Sequence, residues 1–88
     1  MIRRSVVVHG LVQGVYFRDT TRRRAQSAGV AGWVRNRPDG TVEAVFEGAT
    51  GAVEQLVAFC HEGPRGAWVD RVETSDEKPE GLRGFTVR

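Results

Sequence analysis

Two stretches of helical periodicity are interleaved with β-type runs in this chain, and that order constrains the fold more than any other feature of the sequence. Residues 17–28 place Phe17, Thr21, Ala25 and Ala28 on one helical face, and Gly29 supplies a natural C-terminal stop. Residues 51–61 repeat Val53, Leu56, Val57 and Cys60 at helical spacing, with Thr50 available as an N-terminal cap and Gly63-Pro64 as the break. Ahead of the first helix, residues 5–9 form a β-branched run that ends at Gly10 and reads as a buried strand. Between the helices, residues 32–36 and 41–47 flank the tight turn Arg37-Pro38-Asp39-Gly40. Val42, Ala44 and Phe46 alternate there with Thr41, Glu43, Val45 and Glu47, so the hairpin has one apolar face and one largely solvated face.

A fourth strand over residues 69–74 and a short closing run at Phe85-Thr86-Val87 complete the order β-α-β-β-α-β plus a short β. This order predicts an α+β, ferredoxin-like split βαβ sandwich, with two helices on one face of an antiparallel sheet. Residues 1–88 are read as one domain, because a chain of this size buries a single core and has no room for a separate cofactor-binding module.

Composition narrows the function classes. No apolar run approaches the roughly 20 residues that span a bilayer, which predicts a protein without a membrane partner. The apolar start of the chain is broken by His9 and Gly10, too soon for an export signal, and Cys60 stands alone, as expected in a reducing compartment. Both features predict a cytoplasmic location. Cys60, His9 and His61 are too few soft ligands for a tetrahedral site, so no metal is expected. Charge is divided along the chain: residues 1–40 hold eight arginines against Asp19 and Asp39, whereas residues 41–88 hold nine acids against four arginines and Lys78. The first part of the chain is the one suited to an anion.

That part also holds the loop Gly10-Leu11-Val12-Gln13-Gly14-Val15-Tyr16-Phe17-Arg18, which runs from the first strand into the first helix. Glycines permit close backbone approach, and the free N–H groups of a helix start carry partial positive charge, so a phosphate-sized anion is the natural guest. Arg18 stands in the first helical turn, where a cation opposes the helix dipole. A bound anion would remove that conflict, and the planar guanidinium would grip two of its oxygens. The alternative is that Arg18 pairs with Asp19 or with solvent. The loop lacks the Gly-Lys-Ser/Thr ending of a nucleotide site, so the ligand is expected to carry a single terminal phosphate. Asn36 has two readings: a turn residue that caps the backbone ahead of Pro38, or a neutral amide that orients a water without repelling a phosphate dianion.

The stretch Val8-His9-Gly10-Leu11-Val12-Gln13-Gly14-Val15-Tyr16-Phe17-Arg18, followed by Gly32-Trp33-Val34-Arg35-Asn36, Gly40-Thr41-Val42 and Gly48, resembles both signature motifs of the acylphosphatase family. The resemblance extends over essentially the whole chain, including the Gly63-Pro64 break and Gly84-Phe85. It implies hydrolysis of acyl phosphates to a carboxylate and inorganic phosphate, with a small-molecule substrate, no cofactor and a monomeric enzyme. It also implies that Arg18 and Asn36 are the catalytic residues. Gly10, Gln13, Gly14, Val15, Tyr16 and Phe17 join Arg18 around the phosphoryl group, and Asn36 positions the water. Tyr16 is the one departure, standing where phenylalanine is frequent in the family.

The remaining candidates have structural readings. His9 is a strand-end residue, His61 meets the negative end of the second helix, and Cys60 is a small buried hydrophobe. Arg22-Arg23-Arg24 read as the solvated side of the first helix, adding a steering field. The competing function is an RNA-binding module, which the fold, a pI near 9.3 and the arginine run would suit. Against it stand Glu43 and Glu47 on the expected open face, where RNA recognition needs aromatics, so no nucleic-acid partner is expected.

Overall fold

The computed structural model describes residues 1–88. Its elements are β1 (Ile2–Leu11), α1 (Phe17–Ala28), β2 (Ala31–Asn36), β3 (Val42–Gly48), α2 (Thr50–Glu62), β4 (Trp68–Glu77) and β5 (Phe85–Val87). They form one five-stranded sheet in the order β4-β1-β3-β2-β5. The ferredoxin-like arrangement is therefore the one the sequence predicts. Its four long strands pair antiparallel, and β5 adds to β2 in parallel, which makes the complete sheet mixed.

The topology fixes where a site can form. Because β3 runs antiparallel to both β1 and β2, those two strands are parallel to one another and end on the same edge of the sheet. Helix α1 connects them, so its N-terminus lies above that edge. Helix α1 itself runs over the predicted span, and the Gly29 and Val30 N–H groups close it by bonding back to the Gln26 and Ala25 carbonyls at 3.3 and 2.9 Å. Of its predicted inner face, Phe17, Thr21 and Ala25 are buried and Ala28 is exposed, since Val30 folds back beneath the helix end and fills the core there. Thr21 is tolerated inside because its hydroxyl donates to the Phe17 carbonyl at 2.7 Å.

On the helix side of the sheet, Val6 and Val8 of β1, Val34 of β2, and Val42, Ala44 and Phe46 of β3 are fully buried. They meet Val53, Leu56, Val57 and Cys60 of α2, the set its periodicity predicts. Helix α2 starts without the expected Thr50 cap: Ala49 occupies the capping position and no side chain bonds the first turn. Thr50 is already helical there, so its hydroxyl cannot serve the amides one turn ahead.

The other face of the sheet is less solvated than expected. Thr41, Val45 and Glu47, predicted to be solvated, are all buried. Val45 lies beside Trp33 in the ladder, and the Arg88 guanidinium stacks on that indole at 4.4 Å. Glu47 is enclosed by the loop after β4, and its carboxylate accepts from the N–H groups of Glu80, Gly81 and Leu82 at 3.1, 2.6 and 3.0 Å. Arg3, itself buried, pairs with Glu47 at 3.3 Å and with Glu77 and Glu80 at 2.8 and 3.4 Å. A pattern of alternation on β3 gives no hint of this loop, which arrives from 33 residues downstream.

Burial alone would push the Glu47 carboxyl upward, yet the three amides and Arg3 together hold it below its ordinary value of 4.5. A depressed folded-state value means that the ionised carboxylate stabilises the fold above pH 4.5, and that this contribution is lost as pH falls through the lower folded value. Replacing Glu47 by Gln removes the charge that the amides and Arg3 are arranged around. Urea unfolding at neutral pH is expected to show a loss of about 2 kcal/mol, with the variant less acid-sensitive than the parent below pH 4.5.

Candidate active site

The loop 12–16 and the start of α1 leave a run of main-chain donors without partners. No N–H of residues 13–16 donates to another backbone carbonyl, and the first main-chain bond into the helix runs from the Thr20 N–H to the Tyr16 carbonyl at 3.0 Å. No side chain caps the helix, so the amides of Phe17, Arg18 and Asp19 are also free of intrahelical partners. Tyr16, the capping residue, is left-handed at φ 62° and ψ 25°, the one non-glycine residue of the chain with positive φ. That conformation costs a tyrosine about 1–2 kcal/mol. A left-handed residue next to right-handed ones turns successive amides toward a common point, which is the geometry of an anion-binding nest. Gly14, at φ 77°, supplies the other left-handed position without cost.

These amides border a cleft of about 520 Å³ between the loop, α1, the end of β2 and the end of β5. Five of the eight predicted site residues line it: Gly14, Tyr16, Phe17, Arg18 and Asn36. The other three do not line it, and what their side chains or missing side chains do lies elsewhere. Gly10 sits at a break in the β1–β4 register, where φ is 135° and a Cβ would come within 2.0 Å of the Trp68 carbonyl oxygen. It lets β4 approach. Val15 packs its side chain against the core. Gln13 turns its amide across to the β2–β3 turn, donating to the carbonyls of Arg37 and Thr41 at 2.8 and 2.9 Å. These two hydrogen bonds anchor the amide-bearing loop to the turn whose first residue follows Asn36.

Partners narrow the alternatives left open by the sequence. Arg18 makes no ion pair: the Asp19 carboxylate is taken by Arg22 at 2.7 Å and Arg23 at 3.1 Å. Asn36 is not the cap of the turn. Asp39 fills that role, accepting from the Thr41 N–H at 3.0 Å and its hydroxyl at 2.6 Å, and the Thr41 donors hold the Asp39 carboxyl below the usual range. Asn36 ends β2 opposite Val42, two residues beyond buried Val34, so its side chain falls on the helix side of the sheet beneath the start of α1.

Other ionisable groups lie away from the cleft. His9 pairs with Glu73 on the opposite sheet face, and that hydrogen bond, with Arg71 nearby, lowers the Glu73 carboxyl. His61 binds the Val57 carbonyl at 3.0 Å in the last turn of α2. Burial pushes the Cys60 thiol up to about 12, which leaves it un-ionised and inert near neutrality.

Sequence reading missed four cleft residues, Val12 and Asp19 beside predicted ones, and Arg22 and Val87 farther off. Arg22 was detectable, because it follows Arg18 by four residues and shares its helix face. The triple-arginine run in fact divides three ways: Arg22 lines the cleft, Arg23 is solvated, and Arg24 stacks on Phe59 at 4.4 Å. Val87 depends on the parallel β2–β5 pairing, for which no local signal exists.

A split βαβ sheet with a cationic, amide-lined cleft at the β1–α1 turn defines a small α+β protein whose site has the charge and donors suited to an oxyanion. Similarity to known proteins makes the class specific. The acylphosphatase family model matches residues 4–87. An acylphosphatase of Rubrobacter xylanophilus is 61% identical over 87 residues, covering 98% of this chain and 79% of the relative. One of Haloarcula marismortui is 60% identical over 86 residues, covering 98% and 94%. The crystal structure of acylphosphatase from Bacillus subtilis superposes with a TM-score of 0.95 at 32% identity, covering 100% of this chain and 99% of that one. The chain belongs to the acylphosphatase family, and its activity is that of an acyl-phosphate hydrolase.

Cutting the Gln13 bridge tests whether loop and turn act as a unit. Gln13→Ala is expected to lower stability by about 1 kcal/mol in chemical denaturation and to reduce kcat/KM for an acyl phosphate by about tenfold, although its side chain does not line the cleft.

Proposed function

We propose that the amides of residues 14–18 and the Arg18 guanidinium hold the phosphoryl group of an acyl phosphate, while Asn36 positions the attacking water. The observation that carries this reading is the division of labour at Asp19: with that carboxylate occupied by Arg22 and Arg23, Arg18 keeps its full charge for a ligand. Amides fixed by the fold stabilise the charge that spreads over the three equatorial oxygens without reorganising during reaction.

Water attacks phosphorus, the bond to the acyl oxygen breaks, and a carboxylate leaves. The water proton passes to a phosphoryl oxygen, giving inorganic phosphate. A mixed anhydride has a good leaving group, so neither metal nor cofactor is required. Support for a transfer to substrate comes from the carboxylates near the site: Asp19 is neutralised by two arginines and Asp39 is tied to Thr41. The Asn36 amide accepts from and donates to water without adding charge beside a dianion.

The proposal includes a monomeric enzyme in the cytoplasm, with residues 1–88 acting as one domain on a small-molecule substrate. No helix is long and apolar enough to cross a membrane. Nucleic acid is not proposed as a partner. The sheet face away from the helices presents Glu43 and Glu73, and its Trp33 lies under Arg88. Carboxylates there would repel a phosphate backbone.

Steady-state kinetics on acetyl phosphate, in the presence of chelator, separate the roles. Arg18→Ala is expected to lose about 10²–10³ in kcat/KM together with competitive inhibition by inorganic phosphate. Asn36→Ala is expected to lose a similar factor in kcat while phosphate inhibition persists. Unchanged kinetics in either variant removes its assigned role. The pH–rate profile is expected to lack an inflection from a protein group near neutrality; a required deprotonation there would restore a general base.

A further inference from the structure

The cleft holds a second guanidinium whose donors are incompletely used. Arg22 lines the cleft one helical turn beyond Arg18, on the same face. Its Nη2 donates to the Asp19 carboxylate at 2.7 Å, but its Nε is buried and is the only buried side-chain nitrogen or oxygen without a hydrogen-bond partner. Nε and Nη2 together form the edge that binds a carboxylate with two parallel bonds, and Asp19 occupies half of it. Asp19 also has a second cation in Arg23 at 3.1 Å, so it remains paired when Arg22 turns away. An exchange of partners at Arg22 therefore leaves no carboxylate stranded.

The cleft is also larger than one phosphoryl group requires. Its volume of about 520 Å³ falls within the range of whole small-molecule sites, so the acyl portion of the substrate has room inside it. With the phosphoryl group at Arg18, the acyl chain can extend along the helix toward Arg22. Residues four apart on a helix carry their Cβ atoms roughly 5–6 Å from one another, a spacing that a short dicarboxylic chain spans.

We infer that Arg22 is a specificity-determining residue, which selects acyl phosphates whose acyl chain ends in a free carboxylate. The inference rests on the phosphoryl group occupying the Arg18 cradle as proposed above. Asp19 competes with the substrate carboxylate for Arg22, and so sets how strongly that preference is expressed.

The test compares succinyl phosphate, which has such a carboxylate, with acetyl phosphate, which does not. The quantity read is the ratio of their kcat/KM values. Arg22→Gln is expected to lower that ratio about tenfold, mainly through KM for succinyl phosphate. Arg22→Lys, which keeps the charge but loses the fork, is expected to recover part of it. Asp19→Asn is expected to raise the ratio, because Arg22 is then released. A purely structural Arg22–Asp19 pair would move both substrates together and both variants in the same direction. A ratio unchanged in Arg22→Gln, or lowered in Asp19→Asn, overturns the inference. Retention of both activities by Arg18→Ala would instead overturn the phosphate cradle on which it rests.

Discussion

Everything at the cleft depends on β3 lying between β1 and β2. An antiparallel strand inserted there makes its two neighbours parallel, and their C-terminal ends reach the same sheet edge. The α1 connection must then begin over that edge, which sets uncapped amides above Asn36. Gln13 converts this topological proximity into a fixed relation by bonding the loop to the carbonyls of Arg37 and Thr41. Catalysis by positioning tolerates little displacement, so a bridge between the two halves of the site matters more than its hydrogen bonds contribute to stability.

The charges are arranged by the same economy of partners. Four of the arginines elsewhere are held by carboxylates: Arg3 with Glu47, Glu77 and Glu80, Arg4 with Asp76, Arg35 with Glu43, and Arg71 with Glu73. At the cleft Arg22 and Arg23 share Asp19, which leaves Arg18 unpaired beside donors that also lack partners. The left-handed Tyr16 belongs to this arrangement, since local strain is tolerated where it orients groups for a ligand.

Much of this was legible in the sequence because the signals were local. Gly29 marked the end of α1, the alternation of Val42, Ala44 and Phe46 marked the inner face of β3, and the glycine loop with Arg18 and Asn36 carried a family resemblance. What escaped depended on contacts distant along the chain. Glu47 looks solvated until the loop at Glu80 to Leu82 folds over it, and Val87 joins the cleft only through pairing with β2. Gly10 stands in a glycine-bearing motif, and nothing local signals the close passage of Trp68 on β4 that its missing side chain permits. Arg22 was hidden by its neighbours, since three arginines in a row suggest a solvated face and conceal that the first shares a side with Arg18.

The central claim is that free amides at the β1–α1 turn, with the Arg18 guanidinium, enclose a single phosphate. An amide NMR titration with inorganic phosphate examines it without turnover. The account predicts saturable shifts concentrated at the amides of residues 14–19 and at the Arg18 side-chain N–H, weakening as salt is raised. Shifts centred on the opposite sheet face around Glu43 and Glu73, or none at the loop at concentrations that inhibit the enzyme, would contradict it.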